Sequence, residues 1–311
     1  MTSRSMVVAM LAAAMTTPIA SRVLDAQGVI LRARQEIVSV DVSVQQGGHA
    51  VRGLTPGDFR VYDNDLPQVV DSMSTEAVPI DVTVLLDTSG SVAALRAGLQ
   101  RDVTRMAELL HADDRIRLLT FGYGVEQPIG WRAPGESFSI AVPPVGRVSA
   151  IYDALALALM RRSEPGRRHL IVALTDGQDW SSVTTSAQLL NIASRADSVL
   201  HIVLLAPDSS DTRVPGQWSA SRPDADGIER LREAALRTGG RFEPTPVPGE
   251  RVVDAFRRAY DDFRQSYVLH YSHAGPDVPA PQDGDDWHVI RVEVAKPGQY
   301  AIRAKKGYFG G

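Results

Sequence analysis

The sequence predicts an α/β protein in which a doubly wound, mostly parallel sheet is inserted between N- and C-terminal β segments that pair as one β-sandwich. From residue 80 onward, apolar runs without a polar face alternate with stretches of helical period, which is the order of a parallel sheet with helical crossovers. On both sides of this region, apolar and polar residues alternate with period two, which indicates antiparallel strands with one buried face. Each flanking half holds few strands, so we expect the two halves to complete one module.

The first 26 residues have the pattern of a signal peptide. Arg4 precedes an apolar run from residue 6 to residue 15, and small residues follow it. The run is too short for a permanent membrane span, and no later stretch reaches spanning length. We therefore expect an exported chain, periplasmic or extracellular, that is not an integral membrane protein. A buried N-terminal helix is the alternative.

The N-terminal β segment is predicted over residues 27–76. It holds a strand at 36–46, in which valines alternate with polar residues, and a later hairpin. The hairpin turn is predicted at Asp63-Asn64-Asp65, and its returning strand at Val69 and Val70.

The α/β domain is predicted over residues 77–265 and the C-terminal β segment over residues 266–311. Predicted strands of the α/β domain are 82–87, 115–121, 169–176 and 199–205. Its predicted helices are 92–111, 149–162, 184–197, 226–238 and 250–265. The C-terminal strands are predicted at 266–272, 287–295 and 300–306. Between the domain's second helix and the next strand lie Arg161, Arg162, Arg167 and Arg168, which we interpret as solvated charges at a helix C-terminus.

Composition excludes several kinds of site. The 33 basic and 37 acidic side chains give a net charge of −4, without a basic stripe interleaved with aromatics, so nucleic acid is not an expected partner. The absence of cysteine excludes disulfides, thiolate zinc sites and a cysteine nucleophile. The seven histidines lack the spacing of a metal site, so we expect them to be structural.

Two aspartates close predicted strands of the parallel sheet. Asp87 ends the strand 82–87 and Asp176 ends the strand 169–176, and the carboxyl ends of parallel strands meet at the ligand-binding edge. Ser89 and Ser91 follow Asp87 at alternate positions, so the three side chains can converge. Carboxylates and hydroxyls are hard donors, suited to Mg²⁺, Mn²⁺ or Ca²⁺. Alternatively, one serine N-caps the following helix.

These residues resemble the metal-ion-dependent adhesion site of the von Willebrand factor A (VWA) domain. The D-x-S-x-S signature is matched by Asp87, Ser89 and Ser91, and the T-D-G signature by Thr175, Asp176 and Gly177. In the third element, GRVSAIYDAL, Ser149 takes the place of the family's threonine. The resemblance implies that these hydroxyls coordinate a cation, that the acidic residues act directly or through water, and that a position remains for a partner's carboxylate.

The segments on both sides of the domain resemble one particular group of proteins with this domain. GLTPGDFRVYDNDLPQVV before the domain, and YVLHY and KKGYFG after it, resemble the exported bacterial VWFA-related family that is common in Acidobacteria.

The expected function is therefore a metal-ion-dependent adhesion or protein-binding module that captures an acidic side chain of a protein partner. No catalytic residue and no organic cofactor are expected. One alternative is a structural scaffold that makes little use of metal. Another is a hydrolase or phosphotransferase dependent on an aspartate or serine, but the chain lacks the G-x-S-x-G elbow, and Ser89 stands where a phosphotransferase has its second aspartate.

Overall fold

The computed structural model describes residues 37–75, 78–89, 92, 96–136, 149–206, 225–246, 250–272 and 287–309. The predicted signal peptide and Ser91 lie outside the described residues. Contacts group residues 35–311 into one compact unit, and none of the described helices is both long and apolar enough to cross a membrane. The predicted domain bounds at residues 76 and 265 stay predictions.

Fifteen strands, five α-helices and one short 3₁₀ helix (Pro56–Asp58) are formed by the described residues. The strands before the central region are β1 (Ile37–Gln46), β2 (His49–Ala50), β3 (Phe59–Asp63), β4 (Leu66–Gln68) and β5 (Ser72–Ser74). The central strands are β6 (Ile80–Asp87), β7 (Arg115–Phe121), β8 (Val125–Arg132), β9 (Arg168–Thr175), β10 (Val199–Ala206) and β11 (Phe242–Pro246). The last strands are β12 (Tyr267–Ser272), β13 (Trp287–Val294), β14 (Ala301–Ala304) and β15 (Gly307–Phe309). The helices are α1 (Arg96–Glu108), α2 (Ile151–Leu159), α3 (Ser186–Arg195), α4 (Ala225–Arg237) and α5 (Glu250–Arg264).

The central sheet has the order β11-β10-β9-β6-β7-β8, in which only β8 runs antiparallel to its neighbour. Residues of α1 and α5 pack on one face, and residues of α2, α3 and α4 pack on the other. Every residue of β6 is buried because both faces are covered. After β6 the chain forms β7 on one side and later β9 on the other, so the connections diverge between β6 and β9. That point is where a doubly wound sheet binds ligands.

Two antiparallel sheets contain the flanking strands. One has the order β14-β1-β12-β5, with β2 paired to β1, and the other has the order β15-β13-β3-β4. Each sheet therefore combines strands from before and after the central region. Buried side chains of both sheets form one apolar cluster, which makes a β-sandwich. The predicted fold class is confirmed.

Two edge strands of the central sheet, β8 and β11, were not predicted. β8 contains Pro128 and β11 contains Pro244 and Pro246, and proline in a sheet is confined to edges because it donates no ladder hydrogen bond. These prolines make both segments look unlike strands in the sequence, although the sheet accommodates them at its edges.

The hairpin between β3 and β4 corrects the predicted returning strand. Asn64 and Asp65 have positive φ angles of 48° and 64°, and Asp63 pairs directly with Leu66. This tight turn starts pairing at once, so the returning strand is Leu66–Gln68 and its prediction at residues 69 and 70 was wrong.

The interpretation of Arg167 and Arg168 as solvated charges was also wrong. Arg167 binds the buried Asp81 carboxylate, and Arg168 binds Asp41 of β1 and Ser266. Arg168 also lies 4.0 Å from the centre of the Phe263 ring. Arg168 thus joins the central sheet to β1, and Arg167 supplies the charged partner that the buried carboxylate of Asp81 needs.

His169, at the start of β9, is buried in its neutral form. His169 Nε2 lies 2.7 Å from Thr83 Oγ1, which also accepts from Arg117 Nε (2.8 Å), and His169 Nδ1 lies 2.7 Å from Ser198 Oγ. Burial, and then the charge of Arg117, lowers the pKa of His169 to about 4. His169 therefore stays neutral in the folded protein at pH values where the unfolded chain, with a pKa near 6.5, already binds a proton.

Acid is accordingly expected to destabilise the protein through His169. Stability is lost as pH falls from about 6.5 towards 4, and by pH 5 the contribution is about 2 kcal/mol. Unfolding free energies at pH 7.5 and pH 5 should differ less in His169→Gln than in the wild type. His49→Gln, at an exposed site, is the control. An equal decline in the wild type and both variants would show that His169 is not the cause.

Candidate functional site

Asp87, the last residue of β6, is fully buried. Its Oδ1 accepts a hydrogen bond from the backbone N–H of Ser89 (2.8 Å), and its Oδ2 accepts one from Thr175 Oγ1 (2.8 Å). Thr175 is the last residue of β9, so this carboxylate joins two neighbouring strands at their carboxyl ends. The donor role of Thr175 was not predicted, because it depends on the register of β6 against β9.

Asp176 follows Thr175, and its charge acts on Asp87. Burial raises the pKa of Asp87 to about 6, and repulsion from Asp176 adds to the rise. Hydrogen bonds from Ser89 and Thr175 oppose the shift without cancelling it. Two carboxylates thus lie close together at the switch point, where a cation would relieve their repulsion.

The backbone after Asp176 requires glycine. Gly177 has a φ of 80°, and a Cβ atom there would lie 2.5 Å from Ile228 Cδ1 and 2.9 Å from Leu204 Cδ1. The Gly177 N–H donates to Thr175 Oγ1 (3.0 Å), which aligns that hydroxyl towards Asp87. The positive φ and the close packing therefore explain why this position of the T-D-G motif is a glycine.

Ser149 carries a hydroxyl that no hydrogen bond satisfies. The residue is fully buried, and its Oγ has no partner among the described residues. Its backbone oxygen accepts from the N–H groups of Trp180 (2.8 Å) and Ser181 (3.2 Å), in the loop that follows Asp176. Buried hydroxyls are normally paired because an unpaired one costs about 1–3 kcal/mol. An orphaned hydroxyl at this edge of the sheet fits a cation ligand.

Ser89 does not behave as a simple helix cap. Both its backbone N–H and its side chain hydrogen-bond to Asp87, and its backbone oxygen accepts from Val92 N (3.3 Å). The described part of α1 begins further along, at Arg96. These contacts favour the predicted turn that returns towards the strand end.

The donor set fits a hard divalent cation. Among the described residues, no group of three or more His, Cys, Asp or Glu side chains could hold a metal ion. The candidate ligands that the structure describes are instead two carboxylates, Asp87 and Asp176, and the hydroxyls of Ser89 and Ser149. Such a set suits Mg²⁺, Mn²⁺ or Ca²⁺ and lacks the nitrogen or sulfur ligands that zinc prefers.

Most described histidines have partners away from this edge. His169 bonds to Thr83 and Ser198, His288 to Asp63, His270 to Ser39 and His49 to the Gly47 carbonyl. His111 packs edge-on against the Tyr260 ring. A serine nucleophile needs a base beside it, and these histidines are engaged elsewhere.

No family model and no curated protein sequence matches the chain. Solved structures that resemble it include the conserved hypothetical protein BatB from Bacteroides thetaiotaomicron, at 15% identity and a TM-score of 0.43, over 59% of this chain and 98% of that one. The ArnB paralog VWA2 from Sulfolobus acidocaldarius has 10% identity and a TM-score of 0.45, over 87% and 75%. A von Willebrand factor type A structure from Catenulispora acidiphila has 15% identity and a TM-score of 0.41, over 73% and 50%.

The assignment of the fold rests on the chain itself. The sheet order places helices on both faces and brings the ends of β6 and β9 together at the switch point. Asp87 and Asp176 of the two matching motifs stand at that point. The chain therefore has a von Willebrand factor A-like fold.

Proposed function

We propose that the chain is a metal-dependent protein-binding module. A divalent cation, Mg²⁺ or its substitutes Mn²⁺ and Ca²⁺, would be held by Asp87, Ser89, Ser91, Ser149 and Asp176, and would accept a carboxylate from a protein partner. The hydroxyl of Ser149 is the main support, because it is buried without a hydrogen-bond partner among the described residues and its oxygen lone pairs could coordinate a cation. The repulsion between the carboxylates of Asp87 and Asp176 also favours a cation at this edge of the sheet. A hard cation of this kind takes about six oxygen ligands or more, so an incoming carboxylate can complete the set.

The proposal includes export and a non-enzymatic role. Export rests on the signal-like pattern of residues 1–26. The narrower resemblance to exported VWFA-related bacterial proteins remains a prediction of the same kind. The absence of an enzymatic role is supported by Ser89, which stands where a second catalytic aspartate would be needed, and by the contacts that His49, His111, His169, His270 and His288 make away from this edge.

Ser149→Ala is expected to separate the effect of the cation from the effect of the fold. In chelator, the variant should be as stable as the wild type, or more stable by up to about 1 kcal/mol, because an unpaired buried hydroxyl is removed. In magnesium, it should gain less stability than the wild type because one ligand is missing. Melting temperatures in chelator and in a magnesium series measure both effects.

The control is Ser194→Ala. Ser194 is also buried, but its hydroxyl donates to the Leu190 carbonyl (2.9 Å) and accepts from Arg237 (3.1 Å). Its loss should lower stability in both conditions and leave the magnesium response unchanged. A wild type that melts at the same temperature in chelator and in magnesium would favour the scaffold without metal use.

A further inference from the structure

Large apolar side chains are exposed at the same edge as the candidate metal site. Tyr123, Trp180 and Val183 are 84%, 62% and 89% exposed. They are three of the eight exposed large hydrophobic residues in the described part of the chain. Apolar side chains that are exposed together at one edge offer area that another molecule can cover, and covering apolar area is favourable. We call these three side chains the apolar rim.

Hydrogen bonds place the rim beside Ser149. The Trp180 N–H donates to the Ser149 backbone oxygen (2.8 Å). Tyr123 follows Gly122, whose oxygen accepts from Ala150 N (3.1 Å). Trp180 and Tyr123 thus belong to two loops that both hydrogen-bond to the segment formed by Ser149 and Ala150. This segment carries the unpaired hydroxyl of Ser149. A partner bound at the cation would therefore have these rings near it.

The loop that carries Trp180 and Val183 is held rigidly. Asp153, in the first turn of α2, accepts from the N–H groups of Val183 (3.0 Å) and Thr184 (2.7 Å). The Trp180 indole N–H donates to Gln178 Oε1 (3.1 Å). These bonds fix the backbone while the apolar side chains remain in water. The ordering that binding usually requires is therefore largely present before a partner arrives.

A small cavity continues the rim away from the metal site. It has a volume of about 320 Å³ and is lined by Val183, Thr184, Gln188, Asn191 and Ile192. This volume is near the lower end for ligand sites and is large enough for one side chain. The surface at this edge therefore joins a carboxylate-binding point, exposed rings and a side-chain-sized cavity.

Resting on the proposed function, we propose that the partner presents an acidic side chain with an aromatic or large aliphatic residue within a few positions of it. The carboxylate binds the cation, and its apolar neighbour covers the rim. Asp153 and Asp179 use their carboxylates within the loop itself, Asp179 by accepting from Ser182 (2.5 Å). Electrostatic attraction thus comes from the cation, and the apolar contact adds affinity and selectivity among acidic partners.

The full chain, immobilised, can be used to select from displayed random peptides in magnesium and in chelator. We expect the magnesium pool to be enriched in peptides in which Asp or Glu lies near Trp, Tyr, Phe or Leu. Trp180→Ala and Val183→Ser should each lower the affinity for the enriched peptides by about tenfold or more. Neither should change the melting response to magnesium. Val69→Ser, at a valine 79% exposed elsewhere, is the matched control and should bind as the wild type.

The outcomes distinguish the rim from the metal site. Enriched peptides with an acid but no apolar preference, bound equally by Trp180→Ala, overturn the role of the rim and leave the proposed function intact. Enriched peptides that bind equally in chelator overturn both. A selection that enriches nothing in magnesium also overturns the rim's role, and the melting response of the same protein then decides the metal site separately.

Discussion

Asp262→Ala is expected to lower the free energy of unfolding by about 3–5 kcal/mol. Asp262 of α5 is buried, and its Oδ1 accepts from Ser43 Oγ (2.6 Å), Gln45 Nε2 (2.7 Å) and Arg241 Nη2 (3.0 Å). Its Oδ2 accepts from Arg303. Burial raises the pKa of this carboxyl, but the charges of Arg303 and Arg241 outweigh it, and the pKa is lowered. The alanine variant leaves two largely buried guanidinium groups without their carboxylate.

Urea unfolding at neutral pH measures this loss. Asp262→Asn, which keeps an acceptor but removes the charge, should fall between alanine and wild type. Asp261→Ala changes the neighbouring, exposed residue of the same helix and should have little effect. If Asp262→Ala and Asp261→Ala were equally stable, this cluster would contribute nothing to joining α5 to β1 and β14.

Asp87→Asn is expected to change stability in opposite directions with and without divalent cations. In chelator at pH 7.5, the variant should be more stable by about 1–2 kcal/mol, because a carboxylate whose pKa burial and Asp176 raise to about 6 is no longer charged. The full gain is reduced because the amide cannot accept from both Ser89 and Thr175. In magnesium at about one hundred times the dissociation constant, the wild type gains about 2.7 kcal/mol that the variant lacks.

Unfolding free energies in chelator and at several magnesium concentrations measure both parts. Asp254→Asn removes one negative charge from a half-buried position of α5 and serves as the charge-matched control. It should match the wild type in its magnesium response. A magnesium response that persists in Asp87→Asn would exclude Asp87 as a ligand, whatever its effect in chelator.

Local periodicity was enough to predict the architecture. Val38, Val40, Val42 and Val44 are buried, as their alternation in the sequence indicates. The apolar strand that ends at Asp87 is covered on both faces, as a strand without a polar face must be. These patterns are informative because the period of a strand or helix decides which of its residues face the core. The positions of Asp87 and Asp176 at adjoining strand ends followed from the same reasoning.

Only the tertiary structure decided how distant residues meet. Arg168 was interpreted as a solvated charge, but packing brings it to Asp41 of β1. Neither the unpaired hydroxyl of Ser149 nor the exposure of Trp180 has any local signal, since each depends on which loops converge at the edge of the sheet. Sequence alone therefore determined the helices and inner strands of the central sheet and the strand ends that carry the acidic residues, but not the edge strands β8 and β11. The long-range packing of those elements decided the contacts, because burial and pairing across the fold are properties of the assembled core.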